Sequence, residues 1–241
     1  METIASQVYK PADFSAGQVH EMLVTLGKRG FSPQMAAEVA NARSGKAQEI
    51  VGLFRSVLDL DPIAFWQKFY QDFCDLETDF SQAGVPDPVG AFTLVLGIPE
   101  GLTPNRIYEP CARHFKCWRY ADDLDAIITH NDREPTKSYF IKVRDRQEAD
   151  EELKNLSAND IKTRCLTTET LTERLVHEAV YYYRTGEHLD VSNITLCSGS
   201  RDQDGRVPGV RWYGHCGEVG VGYYCGSGSS FGNLRSRQVV S

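Results

Sequence analysis

Two short clusters in this chain carry side chains of the kinds that catalyse reactions. The run Asp122–Asp125 contains three carboxylates that could hold a divalent cation, but it lacks the glycine and the distal glutamate of a calcium loop. A helix predicted over residues 121–128 explains these acidic residues without a metal, because carboxylates stabilise a helix N-terminus. Cys197 lies beside serine and glycine, where a tight turn is favoured over a nucleophile because no histidine or acid can be paired with it. An enzyme that uses Cys197 or Asp122–Asp125 is therefore the alternative function.

The candidate metal ligands also form incomplete patterns. The segment Cys111–Cys117 offers two cysteines and His114 in a C-x2-H-x2-C spacing, which is uncommon for zinc and has no fourth ligand nearby. His177-Glu178 resembles the start of a metalloprotease motif, but Tyr181 replaces its second histidine. Phosphate-loop and dinucleotide patterns are absent from the sequence. We therefore expect no metal, no cofactor and no catalytic residues.

Composition and charge narrow the function further. Of the 241 residues 41% are hydrophobic and 24% are charged, which is typical of a globular protein, and the net charge of −7 does not favour nucleic-acid binding. No run of 18 apolar residues predicts a membrane span, and the first residues lack the apolar core of a secretory signal. Seven cysteines, an odd number, favour reduced thiols. We expect a cytoplasmic protein, or a phage- or surface-associated one exported by another route.

The composition changes abruptly near Gly205. Nine of the 20 glycines lie within residues 205–232, and five arginines after residue 197 outnumber two aspartates and one glutamate. Val219 and Val221 alternate with Gly220 and Gly222, which predicts a strand with one apolar face and one bare face. Tyrosine, glycine and serine are typical of antibody-like surfaces, since tyrosine supplies contact area and the small residues adapt. The segment therefore predicts a surface that binds a protein or glycan ligand.

Helix and strand patterns indicate how this segment is supported. Ser32-Pro33 predicts a helix start, a second helix is predicted over Lys46–Leu58, and a third follows Asp61-Pro62 with an aromatic core stripe of Phe65, Trp66, Phe69, Tyr70 and Phe73. A T-x-x-E capping box at Thr170 begins a helix over residues 171–184 that braces the sheet. Strands are predicted over residues 92–98, 139–144, 209–213, 218–224 and 234–240. The chain is thus predicted to be α+β, with a helical module over residues 1–88 and a second domain over residues 89–241.

Several segments of the second domain carry a resemblance: Leu171-Thr-Glu-Arg-Leu175, Gly186–Asp190, Thr195–Arg201, Val207-Pro208, Trp212, Val219–Val221 and Leu234–Arg237. With them, about residues 90–241 resemble the variable target proteins of bacterial and phage diversity-generating retroelements. In that class a reverse transcriptase rewrites adenines near the 3′ end of the gene. The resemblance implies a C-type-lectin-like domain of small twisted antiparallel strands braced by helices, with a variable segment at about residues 209–233 that selects ligands.

The residue types of the predicted variable segment agree with this resemblance. Adenine mutagenesis of an asparagine codon cannot produce Lys, Glu, Gln, Met or Trp, and over residues 209–233 only Trp212 and Glu218 belong to that set. We expect Trp212, Val219, Val221, Leu234 and Arg235 to form the scaffold. The positions expected to project, to vary and to bind the ligand are Arg211, Tyr213, His215, Cys216, Glu218, Gly220, Gly222, Tyr223, Tyr224, Ser227, Ser229, Ser230 and Phe231.

Overall fold

The computed structural model describes residues 15–28, 32–40, 62–87 and 89–241, and within strand β8 it leaves the side chains of residues 223–225 undescribed. The predicted helix over Lys46–Leu58 lies outside the described residues. The α-helices are α1 (Ala16–Gly27), α2 (Pro33–Ala40), α3 (Pro62–Phe69), α4 (Pro104–His114), α5 (Leu124–Ile127), α6 (Ala158–Thr163) and α7 (Leu171–Thr185). The strands are β1 (Leu94–Ile98), β2 (Cys117–Arg119), β3 (Ile128–Asn131), β4 (Tyr139–Val143), β5 (Ile194–Leu196), β6 (Ser200–Asp202), β7 (Val207–Tyr213), β8 (Glu218–Cys225) and β9 (Leu234–Arg235).

Helix α3 supplies the aromatic part of the core. It continues into a π-helical turn over Tyr70–Cys74, and Trp66, Phe69 and Phe73 are buried as the stripe predicts. Trp66 Nε1 donates to the carbonyl oxygen of Val95 at 3.2 Å, so α3 is fixed to β1. These aromatic residues belong to the same hydrophobic cluster as the strands after residue 88. The division into domains at residue 88 stays a prediction. Residues on both sides of this boundary pack in one hydrophobic cluster.

A five-stranded sheet forms the centre of the C-terminal part, with strand order β2-β8-β7-β5-β9. The strands β8, β7 and β5 are antiparallel neighbours, as predicted, but the edge strands β2 and β9 run parallel to theirs. The prediction of an all-antiparallel sheet is therefore wrong at both edges. The physical reason is the chain path, because each edge strand reaches its neighbour through a long connection rather than a hairpin.

Two smaller pairs complete the α+β architecture. Strand β1 pairs antiparallel with β4, and β3 pairs antiparallel with β6. The predicted last strand is shorter than expected, since β9 ends at Arg235 and the residues after it form only isolated bridges, such as Lys142 with Val240. The predicted helix over residues 121–128 is also shorter, because α5 begins only after its N-cap residue Asp123.

Helix α7 packs behind the central sheet and is buried over its first ten residues. The predicted capping box is confirmed: Thr170 Oγ1 accepts from the Glu173 amide, and the Glu173 carboxylate accepts from the Thr170 amide at 2.8 Å. Gly186 ends the helix with a φ of 73°, a left-handed conformation that glycine adopts without steric cost. The local sequence therefore fixes both ends of the helix that supports the sheet.

A buried ionic network, which we call the Asp190 network, connects α7 to the C-terminal residues. Asp190 Oδ2 accepts from Arg174 Nη2 at 2.8 Å, and Asp190 Oδ1 accepts from Arg237 Nη2 at 2.7 Å. Arg174 also donates to Glu178 at 2.9 Å, and Thr195 donates to Asp190. Burial alone would raise the pKa of Asp190, but Arg237 and Arg174 lower it to about 2. The network holds the C-terminal segment, α7 and β5 in one fixed arrangement.

Candidate ligand-binding face of the central sheet

The two faces of the β7–β8 hairpin differ as the alternation of valine and glycine predicts. Val210, Val219 and Val221 are buried in the main hydrophobic cluster, so their side of the sheet is the inner face. The opposite side, which we call the outer face, carries the alternate residues of the same strands. Helix α6 covers the β5–β9 end of this side, where Ala158 packs with Leu196 and Leu234. Its β2-β8-β7 end forms the candidate site.

Glycines form the floor of the outer face. Gly220 lies opposite Arg211 in β7 and opposite Trp118 in β2, and Gly222 lies opposite Gly209. The Tyr213 ring lies over Gly220, so closely that a Cβ atom there would clash with Tyr213 Cε2. A glycine floor therefore lets an aromatic side chain lie flat against the backbone.

Aromatic and cationic side chains surround this floor. Trp118 is 48% exposed, and its ring reaches the space above Gly220. The Arg211 guanidinium carbon lies 5.0 Å from the centroid of the Tyr213 ring, a cation–π contact, and the Tyr213 ring packs edge-on against His215. Burial raises the pKa of the Tyr213 hydroxyl, although Arg211 acts in the opposite direction. The hydroxyl therefore stays protonated and can donate to a ligand.

The charges on the outer face are unequally paired. Glu218 forms an ion pair with Lys116 at 3.0 Å, which anchors the strand beside β2. Arg211 donates only to the carbonyl oxygen of Trp212, at 3.4 Å, and within the part of the chain that the structure describes it has no ion pair with a carboxylate. Because guanidinium groups bind carboxylates and phosphates well, Arg211 is available for a partner outside the chain.

Residues 226–233 form a loop beside this face, and backbone contacts hold it at both ends. The Asn159 amide donates to the carbonyl oxygen of Ser227 at 2.9 Å, and the Ile194 amide donates to that of Asn233 at 2.9 Å. Between these anchors Ser230 and Phe231 are exposed, while Ser227 and Ser229 are half-buried. Loop 226–233 thus presents small hydroxyl side chains and one aromatic ring on a fixed backbone.

The predicted projecting residues fall into three groups in the structure. Arg211, Tyr213, Glu218 and the loop residues lie on or beside the outer face, with His215 and Cys216 exposed at the hairpin tip. Gly220 and Gly222 are buried in the floor, so side chains at these positions do not project freely; at Gly220 the Tyr213 ring would have to move. Tyr223 and Tyr224 lie in β8, but their side chains are outside the described part.

The predicted scaffold residues lie behind this surface. Val219, Val221, Leu234 and Arg235 are buried, and the half-buried Trp212 ring stacks on His188 with 3.9 Å between centroids. Sequence reasoning missed Trp118, which supplies the largest exposed ring of the outer face. The position of Trp118 depends on the pairing of β2 with β8, a strand about 100 residues later. No local pattern specifies that pairing.

Cys197 and two of the three carboxylates considered for enzymatic chemistry have defined surroundings in the fold. Cys197 is fully buried in the main hydrophobic cluster, and burial raises its thiol pKa, which opposes formation of a nucleophilic thiolate. Asp123 caps α5 by accepting from the Ala126 amide at 3.0 Å. Asp125 accepts from the Asn105 amide at 2.9 Å. These contacts account for Cys197 and for two of the three carboxylates.

The candidate metal ligands have other contacts in the fold. Cys111 is buried in the core, whereas His114 bonds to the Phe73 carbonyl oxygen at 2.9 Å and stacks on the Phe73 ring. His177 is buried against Glu169, with 2.8 Å between His177 Nδ1 and Glu169 Oε1. Across the described ranges there is no group of three His, Cys, Asp or Glu side chains that could hold a metal ion.

Comparisons of the chain with protein families, with functionally described proteins and with solved structures find no match. Among the helices of the described ranges, none has both the length and the apolar character needed to span a bilayer. A function for this protein is therefore inferred from the geometry of the outer face and of loop 226–233.

Proposed function

We propose that this protein is a non-enzymatic, receptor- or adhesin-like binder whose outer face and loop 226–233 bind a protein or glycan ligand. The observation that carries the proposal is the division of one hairpin into two chemically different faces. The inner face holds buried valines, while the outer face carries Trp118, Tyr213 and Arg211 over glycines. Exposed aromatic and arginine side chains are the residues that contribute most to protein interfaces.

We further propose that the fold is C-type-lectin-like and that a diversity-generating retroelement varies the C-terminal segment. The residue types of the segment support this, since only Trp212 and Glu218 over residues 209–233 are unreachable by adenine mutagenesis of an asparagine codon. Glu218 pairs with Lys116 and Trp212 stacks on His188, so each of the two has a defined contact. Glu218, one of the positions expected to vary, is therefore proposed as a fixed one. Substitution of the other outer residues would leave those contacts in place.

The proposed binding surface can be tested without knowledge of the natural ligand. A displayed library is randomised at Arg211, Tyr213, His215, Ser227 and Phe231. A matched library is randomised at an equal number of buried positions: Val210, Val219 and Val221 on the inner face, and Leu196 and Leu234 under α6. We expect most members of the first library to resist protease, and selection on immobilised proteins and glycans to yield binders from it. Buried positions tolerate far less change, so the second library should be mostly unfolded.

Two outcomes would contradict the proposal separately. If the outer library unfolds as often as the library of buried positions, the outer face is part of the packed core and not a variable surface. Sequencing the gene in independent isolates addresses diversification: adenine-directed changes should be confined to the codons of projecting residues. If the locus contains neither a template copy of the 3′ repeat nor a reverse-transcriptase gene, the retroelement origin is wrong, while binding by the outer face still stands.

A further inference from the structure

A pocket with a volume of about 480 Å³ lies beside α6 and is separate from the outer face. The β3–β6 pair contributes His130 and Arg201 to its wall, and α6 contributes Lys162. Ser227 of loop 226–233 lies at its rim. The pocket therefore brings three basic side chains and one carboxylate, that of Asp132, together from two separate parts of the fold, next to the proposed variable loop.

Arg201 is paired differently from the arginines of the interior. Those arginines each face a carboxylate, as Arg133 faces Glu173 at 2.6 Å and Arg237 faces Asp190 at 2.7 Å. Arg201 instead donates through Nη1 to the carbonyl oxygens of Ser198 and Ser200. Over residues 62–87 and 89–241, as in the other described ranges, it forms no ion pair with a carboxylate. Its guanidinium charge is therefore half-buried, and Asp132 in the same pocket compensates it only in part.

The two carbonyl contacts orient this guanidinium but leave part of it unused. Within the described part of the chain, Nε and Nη2 of Arg201 make no hydrogen bond, and the side chain lines the pocket. Burial lowers the pKa of Arg201, and the nearby Asp132 offsets this effect only in part. Asp132 Oδ1 also lies 3.6 Å from His130 Nε2. A bound oxyanion would provide the missing compensation, because guanidinium groups bind planar oxyanions with two parallel hydrogen bonds.

We propose that this pocket binds a small oxyanion, a carboxylate or phosphate group, through Arg201 and Lys162. Arg201 supplies a fixed two-donor contact, and Lys162 supplies a mobile ammonium group. The proposal is independent of binding by the outer face, since the two sites share only the position of Ser227 beside both.

The test uses the full chain with sodium phosphate and sodium acetate as probes, at constant ionic strength. Isothermal titration measures affinity, and amide chemical shifts locate the site. We expect saturable binding of at least one probe, with shifts confined to residues 128–132, 158–167 and 198–205. Lys162→Gln should weaken the binding about 3- to 5-fold, the usual effect of an exposed ion pair. Arg201→Gln should weaken it about 10-fold or more, because it removes a charge-assisted two-donor contact.

Arg164→Gln is the matched control, since Arg164 is exposed near Lys162 but does not line the pocket. It changes the net charge equally and should alter affinity by less than about twofold, because exposed charges outside direct contact are screened. Binding that does not saturate, shifts located elsewhere, or equal weakening by Arg164→Gln and Lys162→Gln would overturn the proposal. If Arg201→Gln does not fold, the comparison of Lys162→Gln with Arg164→Gln still decides.

Discussion

Polar side chains behind the central sheet and those on its outer face are arranged in opposite ways. Every charged group of the Asp190 network is buried. The single carboxylate of Asp190 accepts hydrogen bonds from Arg174, Arg237, Thr195 and the Ala149 amide. On the outer face Arg211 contacts one carbonyl oxygen and one ring. Groups that are fully bonded within the chain fix its geometry, whereas groups with unused bonding capacity can be exchanged or bind a partner. The difference separates a framework from a binding surface.

Two glycines show the same contrast in steric terms. Gly97 in β1 lies under Trp66 and Phe140, where an added Cβ would be 2.8 Å from ring atoms of both side chains. At Gly220 an added Cβ would lie even closer to the Tyr213 ring. Trp66 and Phe140 are buried on all sides, while Tyr213 borders solvent. An added Cβ should therefore lower the free energy of unfolding strongly at Gly97 and only slightly at Gly220.

Asp190→Asn should have the largest effect on the framework. The substitution keeps the shape of the side chain but leaves two buried guanidinium groups with less compensating charge. Removing one partner of a buried ion pair typically costs about 3–5 kcal/mol in the free energy of unfolding. Urea unfolding followed by circular dichroism measures this loss.

Asp204→Asn is the matched control for that change. Asp204 forms an exposed ion pair with Arg206 at 3.6 Å, so its loss should cost about 0.5 kcal/mol or less. Should Asp190→Asn cost no more than this control, the Asp190 network would not hold the fold together. The comparison between framework and outer face would then lose its energetic basis.

Gly97→Ala and Gly220→Ala compare the two regions directly. We expect Gly97→Ala to lower the free energy of unfolding by about 2–3 kcal/mol, because overpacked cores relax poorly. Gly220→Ala should cost less than about 1 kcal/mol, since Tyr213 can rotate toward solvent. Both values come from urea unfolding curves, and in a Tyr213→Ala background the cost of Gly220→Ala should nearly vanish.

Gly214→Ala serves as the control for the hairpin, because an added Cβ there meets Trp212 only at 3.7 Å. It should change stability less than Gly97→Ala does. Equal costs for Gly97→Ala and Gly220→Ala would mean that Tyr213 is held rigidly. The outer face would then be a second core surface and not an adaptable one.

Local patterns in the sequence were sufficient to predict the elements whose causes are local. The capping box at Thr170 predicted the start of α7, and the alternation of Val219 and Val221 with glycines predicted the two faces of β8. The aromatic stripe in α3 predicted core residues because its spacing matches a helix face. In each case residues fewer than about ten positions apart carry the information.

The rest of the site depends on contacts between distant parts of the chain. Trp118 joins the outer face only because β2 pairs with β8, and Arg237 reaches Asp190 across 47 positions. The pocket around Arg201 is formed by the β3–β6 pair and α6, which share no local pattern. Periodicity indicates which side of an element is apolar, but it does not indicate which element that side meets. For this reason Gly220 and Gly222, which were predicted to project, lie instead in the buried floor of the outer face.

The buried pair Glu169 and His177 predicts that the free energy of unfolding depends on pH. Both residues lie in the buried framework and not on the outer face. Burial raises the pKa of Glu169 to about 8, and burial together with Arg237 and Arg174 lowers the pKa of His177. With 2.8 Å between Glu169 Oε1 and His177 Nδ1, the folded pair holds one proton at neutral pH. In the unfolded chain both groups have lost their protons above their ordinary pKa values of 4.5 and 6.5.

Above about pH 6.5 the unfolded chain has lost the His177 proton, whereas the folded chain keeps the Glu169 proton up to about pH 8. Between these two pH values the folded state binds one more proton than the unfolded state, so the free energy of unfolding falls as the pH rises. From about pH 6 to about pH 8.5 the free energy of unfolding should decrease by about 2 kcal/mol, measured by urea unfolding at each pH. In Glu169→Gln the decrease should nearly disappear, because the folded pair no longer has a proton to lose. Glu77→Gln, at an exposed position, should keep the full decrease. If Glu169→Gln shows the same decrease as the unmodified protein, the Glu169–His177 pair does not cause the pH dependence. Titratable groups outside the buried framework would then have to account for it.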